Sequence, residues 1–124
     1  MKEKTGVQIT SEADATVVAF VSATVCDVVE IDFASGQIKE FVEEYHPKKI
    51  VFDFGGVKFF SSQVLGLLLD IRKKIGIYDG EIVISAIDPQ LHRIFRITCL
   101  DRIFRFFPDR ESAVRNISQE QSGL

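Results

Sequence analysis

Two adjacent serines, Ser61 and Ser62, stand between a glycine-containing loop and the leucine-rich run Val64-Leu65-Gly66-Leu67-Leu68-Leu69. A serine hydroxyl in that position can cap a helix by accepting from unpaired first-turn N–H groups. Asp53 closes the apolar run Ile50-Val51-Phe52, and open α/β sheets place their sites at the carboxyl ends of strands. Its carboxylate reads either as a phosphoacceptor or as an acceptor that orders the following loop. His46 and His92 have no evident nucleophile beside them and read as surface histidines. A Ser-His-Asp triad using Ser62 has nothing specific behind it. Cys26 and Cys99 lack metal-ligand spacing and read as reduced core thiols. Neither GxGxxG nor GxxxxGK[ST] is present, so nucleotide binding has no motif behind it. The expectation is a protein without catalysis, cofactor or metal.

These residues need a scaffold to hold them. Ile50-Val51-Phe52 has the unbroken apolar character of a strand covered on both faces, and Gly55-Gly56 lets the chain turn. The following helix runs to about Ile77. At about 100° per residue, Val64, Leu67, Leu68, Ile71 and Ile75 share the side that faces the sheet. Ser62, Gly66, Leu69 and Lys73 share the opposite side, with Leu65 and Arg72 at its margin. A hydroxyl, a bare backbone and an apolar knob on one face suit a docking partner, although single exposed leucines are common.

Val7 to Glu12 and Thr16 to Val21 read as strands around an Ala13-Asp14-Ala15 turn, hence an antiparallel hairpin. Ser22 to Glu30 reads as a loop. A helix follows from Ile31 and stops at His46-Pro47. Beyond the central helix, Tyr78-Asp79-Gly80 is a turn and Glu81 to Ser85 a strand. Asp88-Pro89 starts a helix with Asp88 as cap. Phe104 to Phe107 is a last strand, and Asp109 caps a last helix through Ile117. Alternating helices and strands imply parallel pairing. The predicted fold is therefore α/β, with a mixed sheet that opens on an antiparallel hairpin. One domain over residues 1–119 is expected, followed by a polar, frayed tail at 120–124.

The chain has 124 residues, enough to bury a core without staples, and 46% of them are hydrophobic. A net charge of −3 argues against general nucleic-acid binding. The charge is uneven, with six arginines against three acidic residues from Leu91 to Arg115. That asymmetry marks a solvated face or steers an acidic partner. The charged start, Met1-Lys2-Glu3-Lys4-Thr5, lacks the apolar run of a signal peptide. No stretch approaches a membrane span. A soluble cytoplasmic protein is the expectation.

With the order of elements set, the chain resembles the STAS domain, the family of bacterial anti-sigma factor antagonists. The resemblance rests on Phe52-Asp53-Phe54, Val57-Lys58-Phe59-Phe60, Ser61-Ser62-Gln63-Val64, Leu65-Gly66 and Leu67-Leu68-Leu69. It continues in Asp88-Pro89, Ile94-Phe95, Thr98-Cys99-Leu100-Asp101, Phe104, Phe107-Pro108 and Glu111-Ser112-Ala113, and spans roughly residues 7–118. In such proteins a serine kinase that is also the anti-sigma factor phosphorylates the first serine after an aspartate. The unphosphorylated form binds that partner and releases the sigma factor. By position the resemblance makes Ser62 the phosphoacceptor, with Ser61 as the alternative. Together with the helix face read from its period, it leads to expected partner contacts at Ser61, Ser62, Gln63, Leu65, Gly66, Leu69 and Lys73. Ser61 stands where the family has aspartate, Gln63 where it has a second serine, and Val64 where it has glycine.

The leading expectation is a regulatory protein that binds an anti-sigma factor, a serine kinase or a related regulator through the helix after Ser62. A constitutive STAS scaffold within a larger signalling assembly is a rival. A receiver-like phosphoacceptor using Asp53 is another, although no Lys-Pro follows Phe104 to Phe107 and the early hairpin is wrong for that fold. A small-ligand module is the weakest.

Overall fold

The computed structural model describes residues 6–119. The charged start and the tail at 120–124 lie outside the described residues. The strands are β1 (Val7–Glu12), β2 (Ala15–Phe20), β3 (Thr24–Val25), β4 (Lys49–Asp53), β5 (Phe59–Phe60), β6 (Glu81–Ser85) and β7 (Arg105–Phe107). The helices are α1 (Val28–Tyr45), α2 (Ser62–Gly76), α3 (Pro89–Ile97) and α4 (Arg110–Gln119), with a 3-10 turn at Leu100–Arg102.

Five strands form one sheet in the order β1-β2-β4-β6-β7. β1 is antiparallel to β2, and the other pairings are parallel. The hairpin and the helix–strand alternation are those expected, and the sheet is mixed as predicted. Ala13 takes a left-handed conformation, φ 56°, at the hairpin turn.

Strand alternation sorts the central side chains into two layers. Val17, Val51 and Val83 lie abreast in register and pack against Ala113, Val114 and Ile117 of α4. Val18, Phe52 and Ile84 lie abreast on the other face, in one cluster with residues of α1, α2 and α3. Helices on both faces explain why β4 is buried at every position, Lys49 included. The Lys49 ammonium escapes an unpaired burial by donating to Asp14 Oδ2 at 2.6 Å and to the Ser118 carbonyl at 3.2 Å.

Three expectations need correction. Ser22 to Glu30 is not a plain loop: β3 lies within it and pairs in parallel with β5, through Thr24↔Phe59 and Val25↔Phe60. Second, α1 begins at Val28, three residues before Ile31, because the Asp27 carboxylate accepts from Val29 N and Glu30 N. Of the three residues gained, Val28 and Val29 are exposed and the third is Glu30, so no apolar period marked them. Third, Cys26 and Cys99 are both exposed and are not core thiols. Cys99 sits at a left-handed turn, φ 62°, where α3 gives way to the 3-10 turn.

Candidate partner-binding site

β4 delivers Asp53 to the edge of the core, and the loop behind it is built on that carboxylate. Asp53 is 7% exposed. Its Oδ1 accepts from Gly55 N at 3.1 Å and from Ser85 Oγ at 3.0 Å. Its Oδ2 accepts from Arg110 Nε at 2.8 Å and forms an ion pair with the same guanidinium at 2.7 Å. Arg110 also donates to Glu12 at 3.1 Å. The bond to Asp53, then that to Glu12, holds the Arg110 guanidinium more firmly protonated than usual, against its partial burial. The carboxylate orders the loop through Gly55, as one sequence reading had it. Ser85 and Arg110 were not foreseen. With both oxygens committed to internal donors, the receiver-like use of Asp53 has no free oxygen to start from.

Gly56, at φ 87°, makes the turn that the glycine pair predicts. The chain then runs through β5, where Ser61 N donates to the Val25 carbonyl at 3.0 Å. That bond fixes the entry to α2. Ser61 occupies the cap position with extended backbone angles, yet its side chain makes no capping bond. Its Oγ is buried without a partner among the described residues. The other three helix starts are capped by carboxylates, from Asp27, Asp88 and Asp109. The first turn of α2 thus has neither an acidic residue nor a side-chain cap.

Ser62 is the first residue of α2 and is exposed, as are Gln63, Gly66, Leu69 and Lys73. A side chain at Gly66 would meet nothing within 4 Å. Leu69 is 37% exposed, whereas Leu68 is wholly buried. Leu65 departs from its place in the sequence reading. It is 7% exposed and packs in the main core, so the surface offered to a partner does not include it.

Gln63, Gly66, Leu69 and Lys73 line one shallow groove of about 530 Å³ whose other wall is Asp32, Ser35 and Lys39 of α1. Lys39 bridges to Asp70 across it at 2.7 Å. That bond, aided by Lys74 and Lys73, holds the Asp70 carboxyl below the usual range. The α1 wall was missed because nothing in the order of residues says which face of α1 meets α2. His46 and His92 lie elsewhere, edge-on to Tyr78 at 5.5 Å and to Phe106 at 4.5 Å. Among the described residues, no helix is long and apolar enough to cross a membrane.

A mixed sheet that opens on an antiparallel hairpin and carries helices on both faces defines the fold class. Residues 7–113 match the STAS domain, and the chain belongs to that family. Solved structures agree on the fold. An anti-sigma-factor antagonist (STAS) domain protein from Planctomyces limnophilus is 22% identical with a TM-score of 0.83, over 91% of this chain and 98% of that one. An anti-sigma factor antagonist from Mycobacterium paratuberculosis is 23% identical with a TM-score of 0.79, over 92% and 94%. The Bacillus cell fate determinant SpoIIAA in its phosphorylated form is 16% identical with a TM-score of 0.72, over 90% and 99%.

Proposed function

We propose that this chain is a non-catalytic regulatory module that docks a partner protein on the exposed face of α2, and that phosphorylation of Ser62 weakens the docking. The observation that carries the reading is the stripe Ser62, Gly66, Leu69 and Lys73, a hydroxyl followed by an open backbone and an exposed leucine. A phosphate on Ser62 adds nearly two negative charges at an N-terminus that no side chain caps. The helix dipole and free N–H groups offset that charge within the folded protein. A partner closing over Leu69 has no such compensation and must desolvate it. Folding therefore tolerates the modification and binding does not.

The partner is an anti-sigma factor, a serine kinase or a related regulator, in keeping with the antagonists whose fold this chain shares. Ser61 is the poorer phosphoacceptor, because its Oγ is buried. Pull-down from the native host with intact-mass measurement of the bait tests the assignment. A kinase-like ATPase together with a phosphate-sized mass increase lost in Ser62→Ala supports it. Recovery only of large multi-protein assemblies, with no added mass, favours a constitutive scaffold.

A further inference from the structure

The seven arginines of the chain fall into two groups. Arg105 bridges Glu81, Arg110 bridges Asp53 and Glu12, and Arg115 lies close enough to Asp109 to lower its pKa. Arg72, Arg93, Arg96 and Arg102 are exposed and make no side-chain hydrogen bond or ion pair among the described residues.

Three of the four follow one another along α3 and the 3-10 turn, and Arg72 borders the same depression as Ile103, the residue after Arg102. In α3, Leu91 and Phe95 turn into the core, which leaves Arg93, Arg96 and Ile97 on the outer arc. The helix leads through Cys99 straight into the 3-10 turn that carries Arg102. Ile103 follows, and with Arg72 and Lys73 of α2 it borders a depression of about 330 Å³ that has buried Ile82 among its walls. Ile97 and Ile103 are 74% and 40% exposed. Asp101, half-buried, is the acidic residue within the turn, and Glu81, at the depression, is already taken by Arg105.

We propose that the outer face of α3, the 3-10 turn and the edge of α2 at Arg72 form a second docking surface, which meets the Ser62 stripe only at Lys73, for an acidic protein segment with apolar side chains. Unpaired guanidinium groups call for carboxylates, which they bind as planar, two-pronged donors. The exposed isoleucines call for aliphatic contact, which a phosphate backbone does not give. The net charge of −3 also opposes a nucleic acid. An amphipathic acidic helix satisfies both demands, with carboxylates toward the arginines and leucines toward Ile97 and Ile103.

The probe is a fluorescein-labelled synthetic helix with a glutamate face and a leucine face, titrated with the full chain and followed by anisotropy. Binding should occur and weaken as salt rises. The double variant Arg93→Glu/Arg96→Glu should weaken it at least ten-fold, Arg93→Gln/Arg96→Gln less, and Ile97→Ser at least three-fold. Arg115→Glu and Ser62→Asp should leave it unchanged. No binding, or binding indifferent to both arginine doubles, overturns the proposal. So does equally tight binding of a thymidine oligonucleotide, or loss of peptide binding in Ser62→Asp.

Discussion

Replacing Arg110 with methionine removes a guanidinium that reaches Asp53 Oδ2 through two nitrogens, at 2.7 and 2.8 Å. The Asp53 side chain is 10% exposed, so its charge keeps only Ser85 and Gly55 as donors. Breaking a fully buried pair costs about 3–5 kcal/mol. The Arg110 side chain is 39% exposed, however, and water can replace part of what it supplied. The expected loss is therefore about 1.5–3 kcal/mol, the scale of hydrogen bonds to a charged group. Asp53→Asn keeps an oxygen for Ser85 and Gly55 but turns an amide donor toward Arg110, which retains Glu12 and solvent. It should cost about 1–2 kcal/mol. The double variant should lose less than the sum, with a coupling of about 1 kcal/mol, because each change removes the same interaction. Urea denaturation with an unchanged m-value measures all three. Additive losses, or an Arg110→Met cost no larger than that of Arg115→Met, would refute the view that Arg110 and Asp53 act as one unit.

Leu68→Ala should cost about 2–5 kcal/mol and Leu69→Ala under about 1 kcal/mol, since one side chain is wholly buried and the other faces the groove; equal losses in urea would show that α2 is turned differently. Gly66→Ala should stabilise the fold by up to about 1 kcal/mol, because its added methyl meets nothing within 4 Å. The same change should weaken partner binding by narrowing the groove, and undiminished affinity would mean that the bare backbone is not used. Lys49 bonding on Asp14, Lys39 bonding on Asp70, and the Ser112 N–H on Asp109 each lower a carboxyl pKa from 3.8. Groups with depressed folded pKa values contribute stability that is present above the unfolded value and lost as pH falls through the folded one. Thermal melts should thus fall in temperature below about pH 4, and Asp109→Asn should make that decline shallower. A melting temperature that rises with acidification would contradict the sign.

The central features were legible because each rests on local chemistry. The apolar run of β4, the Asp88-Pro89 helix start and the 3.6-residue period of α2 announce themselves within a few residues. The face of α2 that carries Ser62, Gly66, Leu69 and Lys73 followed from that period alone. What stayed hidden depends on partners far along the chain. Asp53 meets Arg110 across 57 residues, and no local pattern marks such a pair. β3 and β5 are two residues each, too short for any period, and exist because their backbones meet. Leu65 lies at the margin of the helical wheel, where only the neighbouring elements decide between burial and exposure. The cysteines were misplaced by a compositional rule, since a turn and a loop carry them to the surface.

The claim at the centre is that charge at Ser62 controls docking on α2. Titration calorimetry of Ser62→Asp against the partner recovered by pull-down tests it most directly, beside Ser62→Ala and thermal melts of each. Ser62→Asp should lose at least ten-fold in affinity, at least about 1.4 kcal/mol, while its stability shifts by less than about 1 kcal/mol. Ser62→Ala should bind like the unaltered protein, and the same changes at Ser61 should matter less. Ser62→Asp binding with undiminished affinity would contradict the switch and leave a constitutive scaffold as the better description.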